Sequence, residues 1–256
     1  QPNMTNLQPS SLIVRNEVKK FLETYCRPGE HLLLAVSGGF DSLALAHILV
    51  SVRDSLGFYL STLTIDHGLQ ENSHSWTETT KKKLQDFGIS QVHSLEVQVE
   101  INSPDGLEAA ARSARYKALH EHATSIGADA IVLAHTLDDQ AETVLLRLGQ
   151  GASTNSIAAM RPIKGNILRP LLNVRRADLR TYLSDFAIDA INDPHNFDSR
   201  FTRVRVREEL MPLLLDVIGK NVVNSLATTA QLAAIDADAL DKITESVYQK
   251  VVIANE

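Results

Sequence analysis

The chain has 256 residues, of which 44% are hydrophobic and 22% are charged, and its net charge is −6. Its length suits one large α/β domain, or one such domain with a small appendage. The single cysteine, Cys26, excludes an internal disulfide framework and any Cys-x-x-Cys metal or redox site. No apolar run reaches the roughly 18 residues of a membrane span, and no signal peptide is visible. We therefore expect a cytoplasmic protein that works away from membranes.

Apolar patterns along the chain predict strands that alternate with helices. In chain order, we predict a helix over 11–25, a strand over 31–36, a helix over 41–54, a strand over 58–65, a helix over 76–87, a strand over 91–99, a helix over 107–126, a strand over 130–134, a helix over 138–148, a short strand over 167–172, and helices over 176–186, 202–217 and 221–253. This order predicts an α/β fold with a doubly wound, mostly parallel, Rossmann-like sheet. We expect a catalytic domain over 11–216 and a helical C-terminal segment over 217–256, with residues 1–10 as a frayed end or a cloning remnant.

The most informative segment is Ser37-Gly-Gly-Phe-Asp-Ser42, between the first predicted strand and its helix. The glycine pair lets the backbone turn sharply and approach a ligand closely. The N–H groups freed at the helix start, together with the helix dipole, favour an anion, and the two serines add hydroxyl donors. A Walker loop would carry a lysine, whereas here Asp41 stands inside the loop, which makes sense when a divalent metal bridges the acid and the phosphates. The segment therefore predicts a binding site for a phosphate chain.

A second polar segment, His135-Thr-Leu-Asp-Asp139, follows the predicted fourth strand at the start of a helix. Thr136 or Asp138 can cap that helix, but adjacent carboxylates repel each other and call for a compensating charge. The helix dipole supplies only about 0.3–1 kcal/mol, and Mg²⁺ would supply more. Ligands of doubly wound sheets bind beyond the carboxyl ends of the strands, so this segment faces the phosphate site if the fourth strand lies beside the first. Asp66-His67-Gly68 follows the second strand in the same way and is a weaker candidate for binding ribose.

Basic residues concentrate between Arg161 and Arg207, where ten basic and five acidic residues give a net charge of +5 and leave −11 elsewhere. Such a concentration is typical of a phosphate-binding face. Arg203, Arg205 and Arg207 are two residues apart, so in a helix they would spread around its first turns. A second basic group, with Arg112, Arg115 and Tyr116, stands on the predicted helix over 107–126.

The hexapeptide SGGFDS (37–42) resembles the pyrophosphate loop of the N-type ATP pyrophosphatases, which cleave ATP between the α- and β-phosphates. Four further segments accompany it: DHGL (66–69), LEAAARSARY (107–116), AHTLDDQAETVLLRL (134–148) and NDPHNFDSRFTRVRVREELMPLL (192–214). Together they resemble the bacterial tRNA(Ile)-lysidine synthetases over roughly residues 30–212. The resemblance implies an adenine-nucleotide alpha-hydrolase-like fold.

This resemblance implies a ligase that uses ATP and Mg²⁺ to attach free L-lysine to carbon 2 of the wobble cytidine of tRNA(Ile) with a CAU anticodon. The cytidine is first adenylated, with release of pyrophosphate, and lysine then displaces AMP. The implied ATP-binding residues are Ser37, Gly38, Gly39, Phe40, Asp41, Ser42, Asp66 and His67. The implied catalytic residues are Asp41, His135, Asp138 and Asp139, with Asp41 and Asp138 as Mg²⁺ ligands and His135 or one of the paired acids as the base. The tRNA-binding candidates are Arg112, Arg115, Tyr116, Arg203, Arg205 and Arg207.

Three departures from the family pattern bear on how tRNA is contacted. The family usually has Ser at His195, Asn at Val204 and an Arg-Gly-x-Gly segment near 149–153, where this chain has Gln150 in a different pattern. Longer members carry further C-terminal domains that hold the acceptor end, so we expect acceptor-stem recognition here to be simplified or missing.

Two alternatives remain for the function. The first is another tRNA-modifying enzyme of the same superfamily, although a thiolase needs several cysteines and amidotransferase types need a glutaminase part. The second is a nucleotide-binding module without chemistry, which would have lost acids such as Asp41, Asp138 and Asp139.

Overall fold

A computed structural model describes residues 8–66, 73–97, 107–190 and 201–253. The chain divides into two compact units, one with residues 1–136 and 162–198 and the other with residues 137–161 and 199–256. In the described ranges, no single helix is long and apolar enough to cross a membrane. A pair of helices over 202–217 and 222–251, bent by 102°, passes that criterion by length and composition only.

The described ranges contain helices and strands in the predicted alternation. The helices are α1 (Pro9–Tyr25), α2 (Phe40–Leu56), α3 (Ser73–Asp86), α4 (Leu107–Ser125), α5 (Leu137–Gly149), α6 (Thr154–Ile157), α7 (Arg176–Asp185), α8 (Thr202–Arg205), a π-helical segment (Val206–Leu210), α9 (Met211–Val217) and α10 (Val222–Ile253). The strands are β1 (His31–Ala35), β2 (Tyr59–Asp66), β3 (Gln91–Glu96), β4 (Ala130–Val132), β5 (Ile163–Lys164) and β6 (Ile167–Leu168).

The first unit is built on a sheet whose order, within the described residues, is β3-β2-β1-β4-β6-β5. Its strand pairs are parallel except β5 with β6, which is antiparallel. β1 pairs with β2 on one side and with β4 on the other, so the strand order reverses at β1. The predicted doubly wound, mostly parallel sheet is confirmed. The fourth strand does lie beside the first, which is the condition under which the segment that starts at His135 faces the phosphate site.

Both faces of the sheet are buried, which explains why β1 is a continuous apolar run rather than an alternating one. Leu32 and Leu34 belong to a core that includes side chains of α1, α2 and α7. Leu33, between them, points to the opposite face and packs in a second core with Leu119 of α4. Helices therefore cover the sheet on both sides, and β1 is its central support.

Helices α2 and α7 are joined by a buried polar contact within their apolar interface. The Nδ1 atom of His47 lies 2.9 Å from the Tyr182 hydroxyl, and the ring of Phe186 packs against both side chains. Burial lowers the pKa of His47 and raises the pKa of Tyr182, so both groups are neutral near pH 7. The contact fixes α7 alongside the helix that begins at the glycine-rich loop.

The second unit contains α5, α6, α8, the π-helical segment, α9 and α10. Its core forms around Ala141 of α5, Met211 of α9 and Val223 of α10. The C-terminal helices therefore pack with α5 in one unit. The catalytic domain over 11–216 and the helical segment over 217–256 stay predictions.

Local differences from the predicted elements have simple physical causes. The strand predicted over 167–172 ends at Leu168, because Pro170 has no N–H to donate to a neighbouring strand. β5 and α6 were missed since segments of two and four residues are too short to show a period. Residues 192–200 of the family-like segment over 192–214, with His195 among them, lie outside the described residues.

Replacing Tyr182 by phenylalanine tests the α2–α7 contact. We expect the free energy of unfolding to fall by about 1–3 kcal/mol, because the buried His47 ring nitrogen loses its hydroxyl partner. Urea unfolding followed by circular dichroism measures the change, with Tyr248→Phe as the matched control, since the Tyr248 side chain is exposed. Equal stability of the two variants would contradict a stabilising role for this contact.

Candidate functional site

The loop after β1 is closed by its own serines. The Ser42 hydroxyl donates to the Gly39 carbonyl at 3.0 Å and accepts from the Ser37 N–H at 3.3 Å. The Gly39 N–H donates to the Ser37 hydroxyl at 3.4 Å. Gly38 has a φ of 82°, in the left-handed region that favours glycine, and Gly39 is the N-cap of α2. We call residues 37–42 the phosphate loop.

Other predicted residues lie at the same edge of the first unit's sheet. Asp66 is the last residue of β2, and His135 follows β4 by three positions. Parallel neighbours of β1 end on the same side of a sheet, so the phosphate loop, Asp66 and His135 share its carboxyl edge. His67 lies outside the described residues, as do the other residues of 67–72.

The Asp41 carboxylate is ion-paired within its own unit. Nε of Arg176, the first residue of α7, donates to Asp41 Oδ2 at 3.2 Å. The side chains are 23% and 15% exposed for Asp41 and Arg176, so this pair is largely shielded from solvent. Asp41 thus lies at the start of α2 with its charge offset by an arginine.

In the second unit, two acids of α5 meet two arginines, and we call these four residues the acid–arginine cluster. Arg207 Nε donates to Glu142 Oε1 at 2.8 Å, and Arg203 Nε donates to Glu142 Oε2 at 3.0 Å. Both arginines also approach Asp139 Oδ1, at 3.4 and 3.5 Å respectively. The Glu142 side chain is only 2% exposed, so its charge is stabilised by this double pairing.

The remaining predicted tRNA-binding residues lie nearer the surface. Arg205 is 60% exposed and forms an i,i+4 pair with Glu209, whereas Arg203 and Arg207 pair with Glu142. On α4, the Arg112 guanidinium lies 5.0 Å from the centre of the Tyr116 ring, and that of Arg115 lies 5.8 Å from it. A tyrosine beside two arginines can stack a base and bind its phosphate.

Comparison with known proteins gives the family. Residues 10–214 match the PP-loop domain family. The tRNA(Ile)-lysidine synthase of Thermobifida fusca is 42% identical over 248 residues, covering 97% of this chain and 76% of that protein. The tRNA(Ile)-lysidine synthase of Mycobacterium leprae is 43% identical over 230 residues, covering 89% of this chain and 68% of that protein.

The chain belongs to the tRNA(Ile)-lysidine synthase family of PP-loop proteins. A further member, from Salinispora tropica, is 41% identical over 243 residues. Among solved structures, the U34-tRNA thiolase NcsA of Methanococcus maripaludis, which holds an iron–sulfur cluster, superposes with a TM-score of 0.72. The match covers 88% of this chain and 78% of the thiolase chain at 14% sequence identity, so it supports only the fold.

The residues of this family member fit a magnesium ion that is shared with its substrate. Mg²⁺ is usually bound through one or two carboxylates, with phosphates and water as the other ligands. Within the described ranges, no group of three or more His, Cys, Asp or Glu side chains is arranged to hold a metal. Asp41 offers one carboxylate beside the phosphate loop, which suits an ion that arrives with a phosphate chain.

Sequence reasoning missed Arg176 and Arg180 as site residues. Both were counted in the basic stretch over 161–207. Arg176 begins the predicted helix over 176–186, and Arg180 lies about one turn further along it. Their contacts with Asp41 and with the Phe40 ring join parts of the chain that are far apart in sequence. The adjacent arginines at 175 and 176, where an apolar helical pattern begins, were the sequence feature that could have marked this helix start as a site element.

A double-mutant cycle on Glu142 and Arg207 tests the acid–arginine cluster. We expect each single variant, Glu142→Gln or Arg207→Ala, to lower the free energy of unfolding, and the pair to show a coupling of about 1–3 kcal/mol. Chemical denaturation measures all four proteins. A parallel cycle on the exposed pair Arg205 and Glu209 is the control and should show no measurable coupling. Equal coupling in the two cycles would contradict the stabilising role of the buried cluster.

Proposed function

We propose that this protein uses ATP to attach lysine to carbon 2 of the wobble cytidine of tRNA(Ile) with a CAU anticodon. The observation that carries the proposal is the identity of about 40% with tRNA(Ile)-lysidine synthases across nearly the whole chain. The phosphate loop supports it, because its serines and its left-handed glycine form a closed turn at the start of α2.

The first step activates a poor leaving group. The carbonyl oxygen at carbon 2 of cytidine attacks the α-phosphorus of ATP, the bond to the β-phosphate breaks, and pyrophosphate leaves. The phosphate loop binds the pyrophosphate portion, since the N–H groups at the start of α2 and the helix dipole favour negative charge there. Asp66, at the end of β2, is the candidate for the ribose hydroxyls.

The second step forms the new carbon–nitrogen bond. The ε-nitrogen of lysine attacks carbon 2, the carbon–oxygen bond breaks, and AMP leaves with that oxygen. The ammonium group must first lose a proton, and its ordinary pKa is about 10.4. His135, Asp138 and Asp139 are the candidates for the base.

The proposed reaction uses Mg²⁺ as a cofactor together with ATP. Asp41 would hold the ion, and Asp138 is its predicted second ligand. When bound, the ion offsets the negative charge that develops on the phosphates.

The tRNA contacts are proposed for Arg112, Arg115 and Tyr116 on α4 and for Arg203, Arg205 and Arg207. Arg205 is the most exposed of the last three, so it is the best placed to meet a phosphate. A protein with this substrate and one cysteine suits the reducing cytoplasm, where we propose that it works.

Mass spectrometry of tRNA(Ile) incubated with the protein, ATP and lysine tests the proposal. We expect the mass of one residue, the wobble cytidine, to rise by that of lysine less one water, with AMP and pyrophosphate formed only when tRNA is present. Asp41→Asn should fold normally and release no pyrophosphate, because the carboxylate at the phosphate loop is gone. Formation of ADP and phosphate would contradict the proposal, whereas AMP formation with another tRNA change would favour a different modifying enzyme.

Replacing Arg205 by alanine tests the proposed tRNA face. We expect weaker tRNA binding and a salt dependence whose slope is smaller by roughly 0.7–0.9, the loss expected for one phosphate contact. Filter binding at several salt concentrations measures both quantities. Arg27→Ala is the control, since Arg27 is an exposed arginine of the other unit. An unchanged slope in the Arg205 variant would remove this residue from the tRNA-binding face.

A further inference from the structure

Two arginines of α7 contact the first residues of α2. Arg176 donates to the Asp41 carboxylate at 3.2 Å, and the Arg180 guanidinium lies 5.3 Å from the centre of the Phe40 ring. Residues four apart lie on the same face of a helix, so one face of α7 meets both residues at the end of the phosphate loop.

The contact between α2 and α7 described above fixes this arrangement. Further along the two helices, the His47 ring contacts Tyr182 by a hydrogen bond and Phe186 by ring packing. The side chain of Tyr182 is fully buried. Arg176 is therefore presented to the phosphate loop from a helix whose position is already fixed.

The negative charges of Asp41 and of the phosphates explain why a residue such as Arg176 is needed. The phosphate loop has to accept a strongly anionic substrate, yet Asp41 places a negative charge inside it. An arginine stays charged at any physiological pH, and a shielded ion pair is screened less by salt than a surface pair. The Arg176 guanidinium therefore offsets the carboxylate and fixes its direction at the same time.

We propose that Arg176 is a positioning residue of the phosphate loop. Arg176 holds the Asp41 carboxylate at the start of α2 so that Mg·ATP can bind beside that carboxylate. This inference rests on the ATP-binding part of the proposed function and not on the identity of the nucleotide that receives AMP. Loss of Arg176 removes the positive charge that pairs with the Asp41 carboxylate and orients it at the phosphate loop. ATP binding then weakens, while the reacting groups themselves are unchanged.

Equilibrium binding of Mg·ATP in the absence of tRNA, measured by isothermal titration calorimetry, tests the proposal. We expect Arg176→Ala to raise the Kd by roughly tenfold to a hundredfold, the range for a lost hydrogen bond between charged groups. Arg176→Lys should recover part of the loss, because lysine keeps the charge but not the planar fork. Arg53→Ala removes a charge from the other end of α2 and should leave the Kd unchanged.

Turnover at saturating ATP separates positioning from chemistry. We expect the kcat of lysidine formation by Arg176→Ala to stay within about twofold of the wild type, with the loss confined to the KM for ATP.

A wild-type Kd in Arg176→Ala would overturn the proposal, as would a lysine variant that binds ATP no better than the alanine variant. If the alanine variant does not fold, the comparison of Arg176→Lys with the wild type decides, and an equal Kd overturns the proposal. A wild-type protein that binds ATP but forms no lysidine contradicts the proposed function and leaves this inference standing.

Discussion

Two shielded carboxylates, Asp41 in α2 and Glu142 in α5, need a positive partner, and in each unit arginines from a later part of the chain supply it. Asp41 at the start of α2 pairs with Arg176, and Glu142 in α5 pairs with Arg203 and Arg207. Glu142 is only 2% exposed, so removing its arginine partners leaves a buried charge, which is strongly destabilising. The Asp41–Arg176 pair is more exposed, so losing one of its partners costs less stability. The positions of Asp41 and Glu142 therefore depend on arginines that are far from them in the sequence.

These ion pairs change how the positive charge of the basic stretch over 161–207 is interpreted. Its net charge of +5 suggests a surface for a polyanion. Yet Arg161, Arg176, Arg203 and Arg207 pair with acids that lie outside the stretch. Part of the positive charge therefore stabilises the protein through ion pairs and is less available to tRNA. The tRNA-binding proposal consequently depends more on exposed residues such as Arg205 than on the total charge.

The sequence was most informative where the structure depends on neighbouring residues. A buried strand, a glycine turn and a helix start follow one another within residues 31–42, so apolar pattern and turn chemistry were enough to predict the phosphate loop. The doubly wound sheet followed from the alternation of elements. The pairing of Arg176 with Asp41 joins residues 135 positions apart, and that of Arg203 with Glu142 spans 61 positions. Such contacts have no local pattern, because any arginine of the basic stretch would have looked the same.

An oxygen label shows whether ATP activates the carbonyl oxygen of the tRNA cytidine. The wobble cytidine of tRNA(Ile) is prepared with ¹⁸O at carbon 2 and incubated with the protein, ATP and lysine in ordinary water. Mass spectrometry of the products then follows the label. If the carbonyl oxygen is adenylated, AMP carries the ¹⁸O and the lysidine formed has lost it. Unlabelled AMP, with ¹⁸O retained in the tRNA, would contradict adenylation of that oxygen.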